Sequence, residues 1–339
     1  MGAFPRPQTR GVLCNHIIRD EGKGLGPRIF VKISICILTY NRSSLLKNLL
    51  LSLEKLNYRP LEIIVIDNCS EDNTQQMMMD EFHYVNYIRV DSNIGASARN
   101  FGLKSSTGDI IITLDDDVIG IDDTHITQLI RLFSGTPQLG AVNFKILDYS
   151  TGEICNWVHH RPPGEYSERE FATYEITEGA VAFRRSALEQ AGYYPEYFFI
   201  SHEGPDLGLR LMNGGFTVMY CPTISVKHKH SNFGRKAWLN YYFDTRNQFW
   251  LAARNFPWSY AATYLARGLG SMLLYSTRDG YLRYWLKAVL DGVKGLPRAL
   301  GDRKVVRPGV MERIRGIDKG RQSAFSLLTE RLLKKGARL

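Results

Sequence analysis

Three consecutive carboxylates, Asp115-Asp116-Asp117, follow directly on the apolar run Ile110-Ile111-Ile112-Thr113-Leu114. Acids this close repel one another unless a cation sits among them. Oxygen ligands suit a hard divalent ion such as Mg²⁺ or Mn²⁺, which takes one or two carboxylates from a protein and its other ligands from phosphate and water. The stretch therefore reads as a site for a metal-bound diphosphate. The plainer alternative is an acidic solvated turn, but few such turns follow a buried strand so abruptly. A continuous apolar run is the pattern of a strand covered on both faces. In open α/β sheets, ligands bind beyond the carboxyl ends of the strands.

The elements around this run must bring other polar groups to the same edge. Lys32 to Leu38 reads as a strand that ends in Thr39-Tyr40-Asn41-Arg42. Leu45, Leu46, Leu49, Leu50, Leu53 and Leu56 then recur at helical spacing, with Ser43 or Asn41 as the expected cap. Leu61 to Asn68 is a second strand, ending at Asp67, and Ser70-Glu71-Asp72-Asn73-Thr74 opens a helix. A short strand at Tyr87–Val90 is followed by Asn93-Ile94-Gly95, a helix beginning through that glycine, the strand 110–114 and a helix near Asp122–Phe133. This alternation predicts an α/β fold with a mostly parallel sheet sandwiched by helices. Three strand ends would then face one edge. Neither GxGxxG after the first strand nor GxxxxGK[ST] occurs, so dinucleotide-binding and P-loop chemistry lose their main support.

The second half changes character. Gly140–Leu147 reads as a strand, Thr151–Glu175 as loops over the site, and Gly179–Arg184 as a strand of small residues. Tyr197–Ile200 reads as an aromatic strand giving way to the helix on which Glu203 and Asp206 sit. Strands are expected at Phe216–Tyr220 and Thr223–Val226, the second leading into Lys227-His228-Lys229-His230. From Arg235 the text is aromatic and basic, with helices expected at Ala261–Tyr275 and Tyr281–Val293.

Hydrophobic content of 44% and charged content of 23% over 339 residues fit a folded globular chain with one large domain and an appendage. The net charge of +9 is uneven: Asp302–Leu339 holds 11 Lys/Arg against 4 Asp/Glu, or +7. Five cysteines, Cys14, Cys36, Cys69, Cys155 and Cys221, include no CxxC pair, which points to a reducing compartment and no zinc site. Neither a secretory signal nor an apolar window of ~18 residues is expected to be present. The expected organisation is a flexible lead-in over 1–30, an α/β domain over 31–234 made of two halves, 31–120 and 121–234, and a helical, partly amphipathic extension over 235–339.

Taken in order, these parts resemble a family 2 glycosyltransferase of the GT-A fold, and in particular its rhamnosyltransferase-like, polysaccharide-building members. The residues that carry the resemblance are Thr39-Tyr40-Asn41-Arg42, Asp67, Asn93-Ile94-Gly95 with Arg99-Asn100, Asp115-Asp116-Asp117, Gly179-Ala180, and Glu203 with Asp206-Leu207 and Arg210. The resemblance implies a metal-dependent, inverting transfer from a UDP-, dTDP- or GDP-sugar to a hydroxyl of a glycan or lipid-linked acceptor. It implies a catalytic domain over 31–234 with a nucleotide-sugar half, 31–120, and an acceptor half, 121–234; that Thr39, Tyr40, Arg42, Asp67, Asn93, Arg99, Asp115 and Asp116 line the donor; and that Asp67 meets the base edge. It implies that Asp117, Asp115 and His228 hold Mn²⁺ or Mg²⁺, with His230 as a second choice of imidazole. Many relatives read Glu-Asp-x-Asp-Leu on the acceptor side; this chain has Gly204 after Glu203. Glu203 is then the first choice for the base and Asp206 the second.

Two other readings compete: a non-catalytic nucleotide-sugar or glycan binder, given Gly204, and a nucleotidyltransferase, which would need a basic glycine-rich loop after the first strand. The aromatic and basic last third suits a helix lying on an anionic membrane face, or a helical lid packed on the catalytic domain. Nucleic acid is not expected as a partner, since no binding motif accompanies the charge. These features place the expected protein in the cytoplasm, at the inner face of the plasma membrane where it meets lipid.

Overall fold

A computed structural model of the protein describes residues 31–229 and 236–320. The lead-in over 1–30, His230 and the end of the basic tail lie outside the described residues. The first half runs β1 (Ile33–Thr39), α1 (Ser43–Leu53), β2 (Leu61–Asp67), α2 (Thr74–Glu81), β3 (Asn86–Arg89), α3 (Arg99–Ser105), β4 (Ile110–Asp115), β5 (Val118–Ile119) and α4 (Asp123–Gly135). It continues with β6 (Leu139–Asp148), α5 (Pro163–Tyr166), β7 (Phe171–Thr173), β8 (Ala180–Arg184), α6 (Arg185–Ala191), α7 (Glu203–Asn213) and β9 (Thr217–His228). The extension is helical: α8 (Trp238–Asn255), α9 (Trp258–Arg278), α10 (Leu282–Lys294), α11 (Leu296–Gly301) and α12 (Pro308–Asp318).

One sheet carries the fold, in the order β3-β2-β1-β4-β8-β6-β9-β5, with β7 paired on β9. β3, β2, β1 and β4 are parallel. Their register sets Thr39 opposite Asp67 and Leu38 opposite Asp115, so the polar strand ends share one edge. The parallel arrangement expected for the whole sheet stops there. β8 pairs antiparallel with both β4 and β6, while β6 and β9 are parallel. The chain reaches β8 through a long excursion rather than a crossover helix, and so enters the sheet from the opposite end.

The leucine stripe of α1 behaves as its spacing predicts: Leu46, Leu49, Leu50 and Leu53 are buried in the core under β1 and β2. Each such side chain is worth about 1.5–3 kcal/mol when removed from water. The expected cap is not used. Asn41 takes a left-handed conformation and accepts from the Glu71 amide, and the Ser43 amide is satisfied by Asp72 Oδ2 at 2.9 Å.

Two local expectations are corrected. The strands expected at 216–220 and 223–226 are one strand, β9, whose pairing slips between Cys221 opposite Phe144 and Ser225 opposite Lys145. Pro222 lies inside the slip, where its missing N–H costs no ladder bond. Tyr197–Ile200 is not a strand. Phe199, Ser201 and His202 are left-handed, with φ of 67°, 72° and 66°. The extension holds this tight path in place. Asn247 of α8 donates to the carbonyls of Phe198, Ile200 and Ser201 at 3.0, 2.7 and 2.7 Å, and Arg246 donates to Phe198 O at 2.7 Å.

The other support of that loop is a close approach. Gly95, at φ +70°, packs so near Phe199 that a Cβ on it would lie 2.0 Å from the Phe199 carbonyl oxygen. The neighbouring Ala96 amide donates to the same oxygen at 2.6 Å. Gly95→Ala is therefore expected to destabilise the fold by about 1–3 kcal/mol, combining a strained φ with a displaced loop. A urea denaturation curve reads this directly, and an unchanged midpoint would refute it.

Candidate active site

β4 delivers the acids. Its residues Ile110, Ile111, Ile112 and Leu114 are at most 3% exposed, so the strand is fixed up to the turn that presents Asp115, Asp116 and Asp117. Asp115, Asp117 and His228 each offer a ligand atom, and these atoms lie within 4.8 Å of one another. His228 arrives at the end of β9, opposite Val118 of β5, and its Nε2 is 3.0 Å from Asp117 Oδ1. The three side chains come from the end of β4, the turn after it and the end of β9, yet form one small oxygen and imidazole cluster. That donor set fits a divalent ion of the Mg²⁺ or Mn²⁺ kind.

Cations of the chain balance the acids. Arg42 donates through Nη1 to Asp117 Oδ2 at 2.7 Å and Asp116 Oδ1 at 3.2 Å. Buried Arg99 is paired with Asp115. Thr39 Oγ1 donates to Asp116 Oδ2 at 2.8 Å. Burial pushes the Asp116 carboxyl up, Arg42 opposes, and Asp117 and Asp115 add to the rise, to about 7. At His228 burial works the other way, but hydrogen bonds that the imidazole donates to Asp117 and Cys155 and the charges of Asp117 and Asp115 outweigh it, giving about 10. Asp117 itself is held low: burial would raise it, and His228 and Arg42 prevail.

The remaining donor-side residues sit along the same edge. Asp67 is fully buried at the end of β2, accepting from the Ser70 amide at 2.8 Å, from Arg89 Nη1 at 2.7 Å and from the Tyr87 hydroxyl. A base edge reaching Asp67 would have to displace Tyr87 or Arg89. Tyr40, 41% exposed, stands free at the rim. Asn93 Oδ1 accepts from Asn68 Nδ2 and from the Gly95 amide, both at 3.0 Å, which fixes the loop that leads to α3. Beside the acids a depression is walled by Asn48, Ile119, Tyr149 and Lys229.

On the acceptor side the two expected base candidates part company. Glu203 opens α7, where the positive end of the helix favours a carboxylate, and is 4% exposed. Asp206 is wholly buried and engaged: Arg210 Nε at 2.8 Å, Arg254 Nε at 2.7 Å and Asn255 Nδ2 at 2.7 Å all donate to it. Burial would raise its pKa, but Arg210 and Arg254 win and keep it below the usual range. So placed, Asp206 ties α7 to α8.

A third carboxylate joins this side that the sequence reading passed over. Glu178 immediately precedes β8; its carbonyl accepts from Thr113 Oγ1 at 2.5 Å and Arg99 Nε at 3.4 Å. Burial and the charge of Glu203 push its carboxyl well above the ordinary carboxylate range. The signal in the sequence is an acid directly before the small residues Gly179-Ala180.

A parallel half-sheet whose strand ends gather acids, joined to a mixed half that brings a histidine and further carboxylates, is the arrangement of the GT-A fold. Residues 34–192 match the family model described as glycosyl transferase family 2. It is similar to the O-antigen chain rhamnosyltransferase RfbN of Salmonella typhimurium, with 28% identity over 63% of this chain and 71% of that protein. It is also similar to the poly-beta-1,6-N-acetyl-D-glucosamine synthase of Staphylococcus epidermidis, with 31% identity over 48% of this chain. The chain spans only 42% of that synthase's length. Among solved structures, S. aureus TarS 1–349 in complex with UDP-GlcNAc superposes with a TM-score of 0.56 at 18% identity, over 88% of this chain and 92% of that one. The resemblance read from the motifs is thereby borne out for family and fold.

Proposed function

We propose that the protein is a metal-dependent, inverting glycosyltransferase that moves a hexosyl or deoxyhexosyl group from a nucleoside-diphosphate sugar to a hydroxyl of a glycan or lipid-linked acceptor. The convergence of Asp115, Asp117 and His228 within 4.8 Å is the observation that carries this reading. When bound there, a divalent ion would stabilise charge on the departing diphosphate as a Lewis acid. Asp115, Asp117 and His228 would hold it, Thr39 and Arg42 keep the acids in place, and Tyr40 and Asn93 line the donor's nucleoside end. A carboxylate at the entrance of α7 takes the acceptor's proton, and Glu203 is the one the sequence singles out. The similarity to an O-antigen rhamnosyltransferase supports a deoxyhexose donor and a polysaccharide product.

The test is release of nucleoside diphosphate from a panel of UDP-, GDP- and dTDP-sugars in Mn²⁺. Release from one of them, with sugar appearing on an acceptor, is the expected outcome. A protein that binds such donors and releases nothing would be the non-catalytic binder instead.

The extension supports a place at a membrane surface. No helix among the described residues is long and apolar enough to cross a bilayer. On α10, however, Leu282, Leu286, Leu290 and Val293 are 38–62% exposed along one face, beside Arg283 and Lys287. An apolar stripe flanked by cations suits the lipid interface. Replacing both Leu286 and Leu290 by Glu is expected to weaken sedimentation with anionic vesicles by more than about tenfold, since each leucine contributes roughly 1.5–3 kcal/mol. Unchanged sedimentation would remove the membrane from the reading. By contrast, α8 is a packing helix, with Trp250, Leu251 and Phe256 buried against Phe198 and Leu209.

A further inference from the structure

An in-line transfer needs a carboxylate that can reach the acceptor, and the position after Glu203 supplies none. The reason lies in the space around Gly204. A Cβ built there would stand 2.1 Å from Glu178 Oε1, 3.0 Å from Glu178 Cδ and 2.5 Å from the Ile176 carbonyl oxygen. No side chain fits at 204 while Glu178 holds its place. The volume at the start of α7 is occupied by a carboxylate that arrives from the opposite wall, the β8 side.

We propose that Glu178 is the catalytic carboxylate of the acceptor side, standing where a side chain at position 204 would otherwise be. The inference rests on the glycosyltransferase reading above and names the group that the reading left to the entrance of α7. Three observations support it. Glu178 is bonded to the residue that seats the metal cluster: the Gly179 carbonyl accepts from the Asp115 amide at 3.1 Å, and a Cβ on Gly179 would lie 2.3 Å from Asp115 Oδ2. The same two-residue unit therefore touches the donor-side acids and the acceptor side. Glu178 is only partly buried, whereas Glu203 is 4% exposed, and a base must be open to its substrate. Its backbone is fixed by Thr113 and Arg99, so the carboxylate is presented from a rigid strand end.

The step balances simply. In the ionised form of Glu178, whose raised pKa makes it the stronger base, the acceptor O–H bond breaks and its proton passes to the Glu178 carboxylate. The acceptor oxygen forms the bond to the anomeric carbon as the sugar–diphosphate C–O bond breaks, its electron pair leaving on the nucleoside diphosphate. Glu203, at the start of α7, acts as a positioning residue through its charge on Glu178.

The experiment compares wild type, Glu178→Gln and Glu203→Gln on the sugar nucleotide that the wild type turns over. One readout is nucleoside diphosphate release; the other is the thermal shift given by UDP, GDP or dTDP with Mn²⁺. Glu178→Gln should release product at least 100-fold more slowly and keep the thermal shift, in line with loss of a general base. Turnover within threefold of wild type overturns the proposal. So does a loss of turnover matched by loss of the thermal shift, or a Glu203→Gln variant that is dead beside an active Glu178→Gln. A second arm keeps the carboxylate in place on a shorter stem: Glu178→Asp should recover at least tenfold over Glu178→Gln. Equal activity of the two would count against the assignment. Failure of the glycosyltransferase reading shows elsewhere, as a wild type that releases no nucleoside diphosphate from any sugar nucleotide.

Discussion

Asp117→Asn is expected to lower nucleoside diphosphate release by roughly 10²–10³-fold, the scale on which one charge-stabilising group contributes to a transition state. Asp117 is the hub of the cluster. It meets His228 Nε2 at 3.0 Å and Arg42 Nη1 at 2.7 Å, and its carbonyl accepts from the Lys229 amide at 2.8 Å. An amide keeps the shape and the backbone bond but offers a metal one neutral oxygen where a charged one stood. Asp115 and Asp116 remain to balance Arg42 and Arg99, so the fold should survive with little change in melting temperature. The measurement pairs turnover with Mn²⁺ binding by isothermal calorimetry. Weakened binding and lost turnover together are the expected result. Wild-type turnover in the variant, or wild-type turnover in excess chelator, would refute the metal-dependent mechanism.

Much of this site was open to a reader of the sequence, for a physical reason. In β1, β2 and β4 the apolar run and the polar stop are adjacent in the chain, and parallel pairing then puts the stops at one edge. Thr39, Asp67 and Asp115 needed no long-range information beyond the alternation of strands and helices. His228 is different. It reaches Asp117 through β9, whose placement next to β6 and β5 is set by tertiary pairing, and only likeness to a family pointed to it. Glu178 was hidden for a related reason: its meaning depends on the side chain that Gly204 lacks, 26 positions away in the chain. The aromatic segment 197–200 misled because large apolar residues in a row suit a strand. Here Phe198 is buried against α8, and the backbone turns left-handed at Phe199 to leave its carbonyl to Ala96. α8 itself escaped notice because it buries residues on most sides, and such a helix carries no clear stripe.

The same geometry gives the extension a structural duty that its composition did not reveal. Arg254→Met is expected to destabilise the protein by about 3 kcal/mol, the low end of the cost of breaking a buried ion pair, since Asp206 would keep Arg210 and Asn255. Arg254 joins three segments: Nε to Asp206 on α7 at 2.7 Å, Nη1 to the Tyr197 hydroxyl at 2.8 Å, and Nη1 to Asp302 after α11 at 2.7 Å. Methionine fills the volume but leaves the carboxylate of Asp206 short of a cation in a site with no access to water. The loss should depend on pH. Asp206 is held below its ordinary value near 3.8 in the folded chain, because Arg210 and Arg254 outweigh burial. Its contribution is therefore complete above the unfolded pKa and is lost as the pH falls through the lower native one. Urea denaturation of wild type and variant from pH 7 down to about pH 2.5 should show the gap between them narrowing at the acid end. A gap under about 1 kcal/mol at pH 7, or one that stays constant on acidification, would mean that the α7–α8 junction is held by its apolar contacts and that Asp206 is incidental to it.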